Sequence, residues 1–444
     1  MIHVRFAPSP TGYLHAGNAR LAVLNFLSAR AHGGKLLLRI DDTDSERSRP
    51  EYEAAIEQDL HWLGIDWDQK IKQSSRMNRY AEAAETLKSS GRLYPCFETE
   101  EELAAKRALR AKRKLPPIYD RAMLSLTREQ REAAEAGGKR PYWRFKLSDG
   151  AVTWQDLVLG PREVRLNTLS DPVLIRADGT PLYTFTSVVD DLDLGINQII
   201  RGEDHVTNTA VQIDLRHALA PHAPQPAFAH LPLVLDAKGE KLSKRTGGVS
   251  LRALRRDGIE AGAIAAYLAR VGSRRDLEPL MLAELAVSFD LAEFSRGAPR
   301  FDPRQLLALN RKFVHGLRFD DVTGRLPRGA TEAFWNAVRG NLDLLSEARH
   351  WWEVVQGNTE IPDLTESRDV LQVALELLPP EPWNETTWKS WTNAVAERTG
   401  VHGRNLYQPL RLALTGDTHG PELALLLPLI GASRVTSRLS MASR

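Results

Sequence analysis

Residues 2–40 constrain the fold more than any other part of the chain. Residues 2–7 alternate apolar and polar side chains, which is the pattern of a short strand. Two prolines and Gly12 then force a loop, and an apolar face with helical spacing follows as far as the glycine pair at 33–34. The run KLLLRI at 35–40 predicts a buried strand. Strand, loop, helix and strand in this order form the beginning of a parallel α/β sheet.

The rest of the chain changes character twice. Charged sequence with a helical pattern at 98–140 is followed by short predicted strands at 142–169. The α/β pattern resumes at 181–191 and 197–201, so we interpret the middle of the chain as an insertion into the parallel-sheet domain. Beyond about residue 310 the pattern is almost purely helical.

Six of the ten tryptophans lie in the helical part of the chain. Most of them fall within amphipathic stretches, so we interpret them as core anchors rather than as platforms for stacking nucleic-acid bases. A proline-rich run at 379–382 predicts a joint between two helical subdomains. The six tryptophans are Trp335, Trp351, Trp352, Trp383, Trp388 and Trp391.

Composition narrows the class of protein. A chain of 444 residues has room for roughly two to four domains. It has no apolar run long enough to span a membrane and no secretory signal, and its single cysteine, Cys96, excludes an internal disulfide and a Cys-rich zinc site. We therefore expect a protein of the cell interior. The net charge is only +2, so a nucleic-acid partner would have to be held by local patches such as the basic run at 106–114. From its charge alone, that run is better explained as a solvated helix.

Two motifs suit a triphosphate. The loop at 8–18 (PSPTGYLHAGN) leads into a helix, whose amino terminus attracts negative charge, and His15 can donate to phosphate oxygens. Alone this signal is weak, since such a histidine is often a simple helix cap. The second motif, KLSKR at 241–245, is bounded by glycines and can form a cationic clamp on leaving pyrophosphate. Alone it could equally be an exposed basic loop.

Together these motifs resemble those of a known family. Residues 15–18 stand in the place of the HIGH motif of class I aminoacyl-tRNA synthetases, and 241–245 stand in the place of KMSKS. More narrowly, the chain resembles bacterial glutamyl-tRNA synthetases. The runs that carry this resemblance, in the family's order and spacing, are RFAPSPTG at 5–12, RIDDTD at 39–44, YTFTSVVDD at 183–191 and QPLRLALT at 408–415. The resemblance covers nearly the whole chain.

The resemblance implies a domain order. It predicts a Rossmann-like parallel-sheet catalytic domain, interrupted by an inserted α+β acceptor-binding domain and followed by all-α anticodon-binding domains. The expected bounds are 1–90 and 181–240 for the two halves of the catalytic domain, 91–180 for the insertion, 241–310 for the KLSKR loop and stem-contact region, and 311–444 for the anticodon-binding region.

The implied reaction is attachment of glutamate to tRNA(Glu), with tRNA(Gln) as a second substrate that the sequence leaves undecided. Glutamate attacks the α-phosphate of ATP to form glutamyl-adenylate, and a terminal ribose hydroxyl of tRNA then takes the acyl group. The resemblance further implies that tRNA must be bound before activation. His15, Lys241 and Lys244 are expected to be catalytic. The expected ATP contacts are His15, Gly17, Asn18, Asp204 and Lys244.

Glutamate recognition is carried over in the same way. Arg5 is expected to pair with the γ-carboxylate, because a guanidinium rewards a carboxylate over the amide of glutamine. Asp41 is expected to take the α-ammonium, although the family usually has glutamate there, and Ser187 stands where many relatives have asparagine. Asn18 also departs from the last position of the HIGH motif. The full expected set is Arg5, Ala7, Ser9, Asp41, Tyr183, Ser187 and Arg201.

For cofactors and partners we expect ATP with Mg²⁺ bound through its phosphates, no zinc, no membrane, a monomeric state and a cytoplasmic location. Three alternatives remain. A paralogue that glutamylates queuosine in tRNA lacks the helical region that follows residue 310 here. A small nucleotidyltransferase would be shorter and lack the KLSKR loop. A catalytically impaired tRNA-binding paralogue is disfavoured because both motifs retain their basic groups.

Overall fold

The computed structural model describes residues 1–236, 238–240, 249–357 and 359–443. These residues form two compact units. The first unit comprises Met1–Arg256 and Ile264–Asp302, and the second, which we call the helical unit, comprises Asp257–Ala263 and Pro303–Arg444. In the described parts of the chain, no helix is both long and apolar enough to cross a membrane.

The predicted opening of the chain is present. The strands are β1 (His3–Phe6), β2 (Lys35–Ile40), β3 (Gln69–Lys72), β4 (Leu93–Cys96), β5 (Tyr142–Phe145), β6 (Ala151–Asp156), β7 (Gly160–Arg165), β8 (Val173–Ile175), β9 (Gln198–Gly202) and β10 (Ala227–Leu231). The helices as far as residue 302 are α1 (Ala16–Ala31), α2 (Pro50–Trp62), α3 (Met77–Ser89), α4 (Glu100–Lys112), α5 (Arg128–Ala136), α6 (Tyr183–Asp193), α7 (Val206–Leu219), α8 (Leu251–Arg256), α9 (Ala261–Arg270) and α10 (Leu282–Val287).

Two sheets with parallel pairing carry the core of the first unit. One has the order β1-β2-β3, and the other has the order β7-β6-β10-β9. The backbone N–H of Asn197, just before β9, donates to the carbonyl of His3 at 3.1 Å, which joins β1 to β9. The turn into β2 requires glycine, because a Cβ on Gly34 would collide with the carbonyl oxygen of Ile2. The carboxyl ends of β1, β9 and β10 therefore meet at one edge, where α/β folds bind their ligands.

The middle segment has its own antiparallel sheet. Strands β4, β5 and β8 form this sheet in that order, while the antiparallel hairpin of β6 and β7 joins the parallel sheet through β10. Helix α4 carries most of the basic run at 106–114 and has no buried residue. On it, Lys106 pairs with Asp120 at 3.0 Å and also with Glu98. The basic run is therefore a solvated helix in which part of the charge is already paired.

The helical unit contains helices and 3-10 turns among the residues described. Its core is apolar, and Trp335 and Trp391 are among its most buried side chains, with exposed fractions of 0% and 2%. The core role that we expected is confirmed for these two and for Trp351, which is 7% exposed, whereas Trp352, Trp383 and Trp388 are only partly buried against the core. The helices from residue 303 onward are α11 (Pro303–Gly316), α12 (Phe319–Val322), α13 (Glu332–Val338), α14 (Ala348–Gln356), α15 (Arg368–Glu376), α16 (Glu385–Thr399), α17 (Arg404–Thr415), α18 (Leu423–Ile430) and α19 (Ala432–Ala442).

Candidate active site

A cavity of about 470 Å³ lies where β1, β9 and β10 end and α1 begins. Its lining contains most of the residues that the sequence predicted as substrate contacts. Asp41 and Ser187 are not among the lining residues, and Lys241 and Lys244 lie outside the described residues. The predicted residues that line it are Arg5, Ala7, Ser9, His15, Gly17, Asn18, Tyr183, Arg201 and Asp204.

His15 forms the amino-terminal cap of α1. Its Nδ1 accepts the backbone N–H groups of Gly17 at 3.2 Å and Asn18 at 3.4 Å. A neutral imidazole that accepts at Nδ1 carries its proton on Nε2, which can then donate to a phosphate oxygen. The first turn of α1 has no acidic residue, so the positive end of the helix dipole is not offset there. The residue that caps α1 therefore lies at a helix amino terminus that favours an anion, and the catalytic role of His15 stays a prediction.

Three arginines line the cavity. Arg20 donates to the backbone carbonyls of Pro232 and Val271, whereas Arg5 and Arg201 are held by side chains. Arg5 projects from β1, and its Nε donates to Asp191 at 3.2 Å. Arg201 projects from β9 and, among the described residues, has no carboxylate partner within salt-bridge distance. Burial lowers the pKa of Arg201, and the nearby charge of Arg5 lowers it further. Two like charges held together in this way create a site that favours an anionic ligand.

Arg201 is held by neutral groups instead. Its Nε donates to Nε2 of His230 at 3.3 Å, its Nη2 to the hydroxyl of Thr209 at 2.6 Å, and its Nη1 to the hydroxyl of Tyr183 at 3.4 Å. Bonds to described residues thus use one hydrogen on each nitrogen. Each terminal nitrogen therefore keeps a second hydrogen for a ligand acceptor such as a carboxylate oxygen.

Asp41 and Ser187 belong to a buried ion-pair network. The side chain of Arg39, which is 0% exposed, donates to Asp41 from Nε at 2.7 Å and from Nη2 at 3.1 Å. It also donates to Asp191 at 2.9 Å and to the hydroxyl of Ser187 at 3.2 Å. Burial raises the pKa of Asp41 to about 6, against the opposing charge of Arg39, so the carboxylate is ionised at neutral pH. The predicted ammonium contact stays a prediction, and it requires Asp41 to share an oxygen between Arg39 and the substrate.

His205 lines the cavity but was not predicted as a site residue. Burial lowers its pKa to about 4, and the charge of Arg201 adds to the shift, so the ring is neutral at physiological pH. Its ring centroid lies 5.5 Å from that of Tyr183. Asp204 beside it is exposed. The sequence signal for His205 was its position shortly after β9, the strand that also carries Arg201.

Similarity to known proteins agrees with this architecture. A family model described as tRNA synthetases class I (E and Q), catalytic domain, matches residues 1–307, and a model of an anticodon binding domain matches residues 357–443. A curated glutamate–tRNA ligase 2 of Acidiphilium cryptum is 72% identical over 443 residues, which cover 100% of both chains. Another, from Granulibacter bethesdensis, is 62% identical over 444 residues, covering 100% of this chain and 99% of that one.

The solved structures agree. The crystal structure of a glutamate tRNA ligase from Elizabethkingia meningosepticum, in complex with its amino acid, has a TM-score of 0.87 at 25% identity, covering 100% of this chain and 99% of that chain. The fold and the cavity define a Rossmann-like catalytic unit that carries a helical anticodon-binding region. The chain belongs to the class I aminoacyl-tRNA synthetases of the glutamate and glutamine (E and Q) family. The predicted fold class and family are confirmed, and class I membership implies the use of ATP.

Proposed function

We propose that the chain is a glutamate–tRNA ligase that forms glutamyl-adenylate in the cavity of the first unit. The observation that carries this proposal is the pair of arginines, Arg5 and Arg201, beside the amino terminus of α1. Glutamate has two carboxylates and ATP has a polyphosphate, so this substrate pair needs two guanidinium groups and an anion site within one cavity.

Arg5 and Arg201 each take one carboxylate of glutamate, with Ser9 and Tyr183 adding hydroxyl groups and Ala7 its backbone. We assign the γ-carboxylate to Arg5. Among the described residues, its terminal nitrogens make no hydrogen bond, while its Nε is anchored on Asp191. An amide in place of the γ-carboxylate would turn an N–H group toward those donors, which favours glutamate over glutamine. Asp41 and Ser187 remain the proposed contacts of the α-ammonium side.

ATP lies with its phosphates at the amino terminus of α1, where Gly17 lets the backbone approach and His15 donates. Asn18 and Asp204 are the further proposed contacts. An oxygen of the α-carboxylate attacks the α-phosphorus, and the bond to pyrophosphate breaks. Lys241 and Lys244 stabilise the charge on that leaving group. A ribose hydroxyl of tRNA then attacks the acyl carbon, and AMP leaves.

Mg²⁺ is proposed to arrive with ATP, bound through its phosphates. Within the part of the chain that the structure describes, no three His, Cys, Asp or Glu side chains are grouped so as to hold a metal ion. The proposal of no zinc has a chemical basis in Cys96. It is the single cysteine of the sequence and supplies at most one thiolate ligand. Its sulfur lies 3.8 Å from the hydroxyl of Tyr119, and burial raises its pKa to about 11, so a metal would have to displace this proton.

The helical unit is proposed to bind the anticodon arm, and the antiparallel segment around β4, β5 and β8 to bind the acceptor end. We further propose a monomeric enzyme of the cytoplasm, where tRNA and ATP are at hand. Whether tRNA(Gln) is also charged depends on the anticodon-reading side chains of the helical unit.

The test is ATP–pyrophosphate exchange with glutamate, with and without added tRNA, followed by aminoacylation of separately purified tRNA(Glu) and tRNA(Gln). We expect exchange with glutamate only when tRNA is present. Lys244→Ala should lower the rate about 10²–10³-fold while glutamate binding stays nearly unchanged. Binding of tRNA without any exchange would favour the catalytically impaired paralogue, and charging restricted to a queuosine-containing tRNA would favour the other.

A further inference from the structure

Arg201 and His230 are cross-strand neighbours. Strands β9 and β10 pair in parallel with Arg201 opposite His230, which brings the Nε of Arg201 to 3.3 Å from the Nε2 of His230. The hydroxyl of Thr209, on α7, lies 2.8 Å from the same Nε2. All three side chains are buried, with exposed fractions of 4%, 0% and 0%. The guanidinium group of Arg201 is therefore hydrogen-bonded to a histidine ring that is not exposed to solvent.

Asp156, the last residue of β6, fixes the state of that ring. Its Oδ1 accepts three backbone N–H groups, from Val158 at 3.1 Å, Leu159 at 2.9 Å and His230 at 3.2 Å. Its Oδ2 lies 2.5 Å from Nδ1 of His230. An ionised carboxylate can only accept, so Nδ1 carries the proton and Nε2 is an acceptor. Its lone pair is shared by the hydroxyl of Thr209 at 2.8 Å and the Nε of Arg201 at 3.3 Å. Burial lowers the pKa of His230, which keeps the ring neutral.

We propose that Asp156 and His230 are positioning residues that hold Arg201 on an uncharged acceptor, so that its positive charge stays available for a substrate carboxylate. The contrast is Arg39, whose charge is taken up by Asp41 and Asp191. A carboxylate in the place of His230 would orient Arg201 equally well but would also neutralise it. A neutral histidine orients the guanidinium group without neutralising its charge. This inference rests on the proposed role of Arg201 in glutamate binding.

The geometry predicts an unusual result for Asp156→Asn, a substitution that hardly changes size. The three backbone N–H groups at Oδ1 require an oxygen there, so the amide nitrogen must take the place of Oδ2 and donate to Nδ1 of His230. The ring then carries its proton on Nε2, where a donor faces the donor of Arg201. The asparagine variant should therefore release Arg201 while the three backbone N–H groups keep their acceptor. Its amide nitrogen also replaces the oxygen that accepts from Nε1 of Trp154 at 3.4 Å, so a moderate loss of stability should accompany the release.

The experiment measures KM for glutamate and KM for ATP in tRNA-dependent exchange, with the melting temperature of each full-length variant. We expect Asp156→Asn and His230→Ala to raise KM for glutamate about tenfold, the factor for one lost hydrogen bond to a charged group, with KM for ATP unchanged. His230→Gln keeps an acceptor for Arg201 and a donor for Asp156, so it should recover most of the affinity. Asp214→Asn is the matched control, because this buried carboxylate holds Arg92 and Ser148, away from the cavity.

Arg201→Ala distinguishes a failure of the proposed glutamate site from a failure of the positioning role. If it leaves KM for glutamate unchanged, both the proposed site and this inference fail. If Arg201→Ala raises KM for glutamate but Asp156→Asn does not, the site stands and the positioning role is overturned. Equal changes in both KM values, or no recovery with His230→Gln, would also overturn it, because a purely structural role predicts that pattern.

Discussion

The two compact units differ in the partners of their buried arginine side chains. Beside the cavity of the first unit, guanidinium and carboxylate groups pair with one another below the surface, as Arg39 does with Asp41 and Asp191. In the helical unit the most buried arginine, Arg438, instead donates to the backbone carbonyls of Leu414, Val354 and Gly357. Arg438 thus satisfies backbone carbonyls, as Arg20 does in the first unit for Pro232 and Val271, whereas the network around Arg39 fixes charges in place.

This difference shows what each unit can tolerate. A charge network is held together by few partners and fails when one of them is removed, since the remaining charge is left buried. An apolar helical core fails mainly through lost volume. Substitutions in the charge network of the first unit should therefore affect both substrate affinity and folding, whereas substitutions in the helical core should affect mainly folding.

The largest effect is expected for Trp391→Ala in the helical unit. The side chain is 2% exposed, and its Nε1 donates to the carbonyl of Ala374 at 2.9 Å. Removing a buried tryptophan leaves a cavity and an unpaired carbonyl, which costs about 3–5 kcal/mol. Calorimetry of the full chain should show a lower transition for this unit, with KM for ATP and glutamate unchanged at low temperature.

Trp388→Ala is the control for that experiment. Trp388 is partly buried and its ring centroid lies 5.6 Å from that of Trp391. Its loss should destabilise less. If Trp388→Ala instead weakens tRNA binding while the melting temperature holds, this tryptophan stacks on RNA and is not a core anchor.

Arg5→Ala is the corresponding experiment in the first unit. It should weaken glutamate binding by about 2–5 kcal/mol, because the γ-carboxylate loses its partner in a partly dry pocket. Folding should survive, since Arg39 still holds Asp191 at 2.9 Å. Glutamine, tested as a competing substrate, should lose much less. Arg5→Lys keeps the positive charge but not the planar guanidinium group. Its glutamate affinity should therefore lie between that of the parent and that of Arg5→Ala. Equal losses for both amino acids would make Arg5 structural.

Asp41→Asn tests both the stability of the first unit and its affinity for glutamate. The carboxylate pairs with Arg39 through two bonds, so its loss should destabilise the first unit by about 1–3 kcal/mol. If Asp41 also holds the α-ammonium, KM for glutamate rises on the same protein. Asp42→Asn is the control, because Asp42 accepts from the backbone and hydroxyl of Ser74 at 2.8 and 2.7 Å and is not among the residues lining the cavity. A lower melting temperature with unchanged KM removes Asp41 from the substrate site.

Local pattern was enough to predict the elements that position the site. Strand β2 has the predicted bounds, Lys35–Ile40, because an apolar run between a glycine pair and an acidic loop leaves little choice. Helix α1 begins at Ala16, earlier than the apolar pattern indicated, because the side chain of His15 caps it. A cap depends on one side-chain bond, which hydrophobic periodicity does not report.

The partners of buried charges could not be predicted in the same way. Arg39 and Asp191 are 152 positions apart, and Asp156 and His230 are 74 apart. A charged residue inside a predicted buried strand indicates that some partner exists, but the partner's identity depends on which strands become neighbours. Asp41 and Arg39 are only two positions apart, so their pairing was open to prediction, whereas the link from Arg39 to Asp191 was not.

The smallest expected effect concerns His205 and the response of the first unit to acid. Its pKa is lowered by burial to about 4 in the folded protein, against 6.5 for an unperturbed histidine. Between these values the unfolded chain binds a proton that the folded chain does not. The histidine's contribution to stability is therefore complete above about pH 6.5, falls as the pH drops toward 4, and changes no further below that.

We expect this effect to be about 1 kcal/mol, since a half-buried ring is partly screened by solvent. His205→Gln should flatten the pH dependence of the melting temperature between pH 4 and 6.5, the interval set by the two pKa values. His222→Gln, at an exposed position, is the control and should follow the parent curve. If the acid response of the His205 variant is unchanged, burial and the charges of Arg5 and Arg201 do not lower the pKa of this ring as proposed. The contrast with the helical unit would then depend on the ion pairs alone.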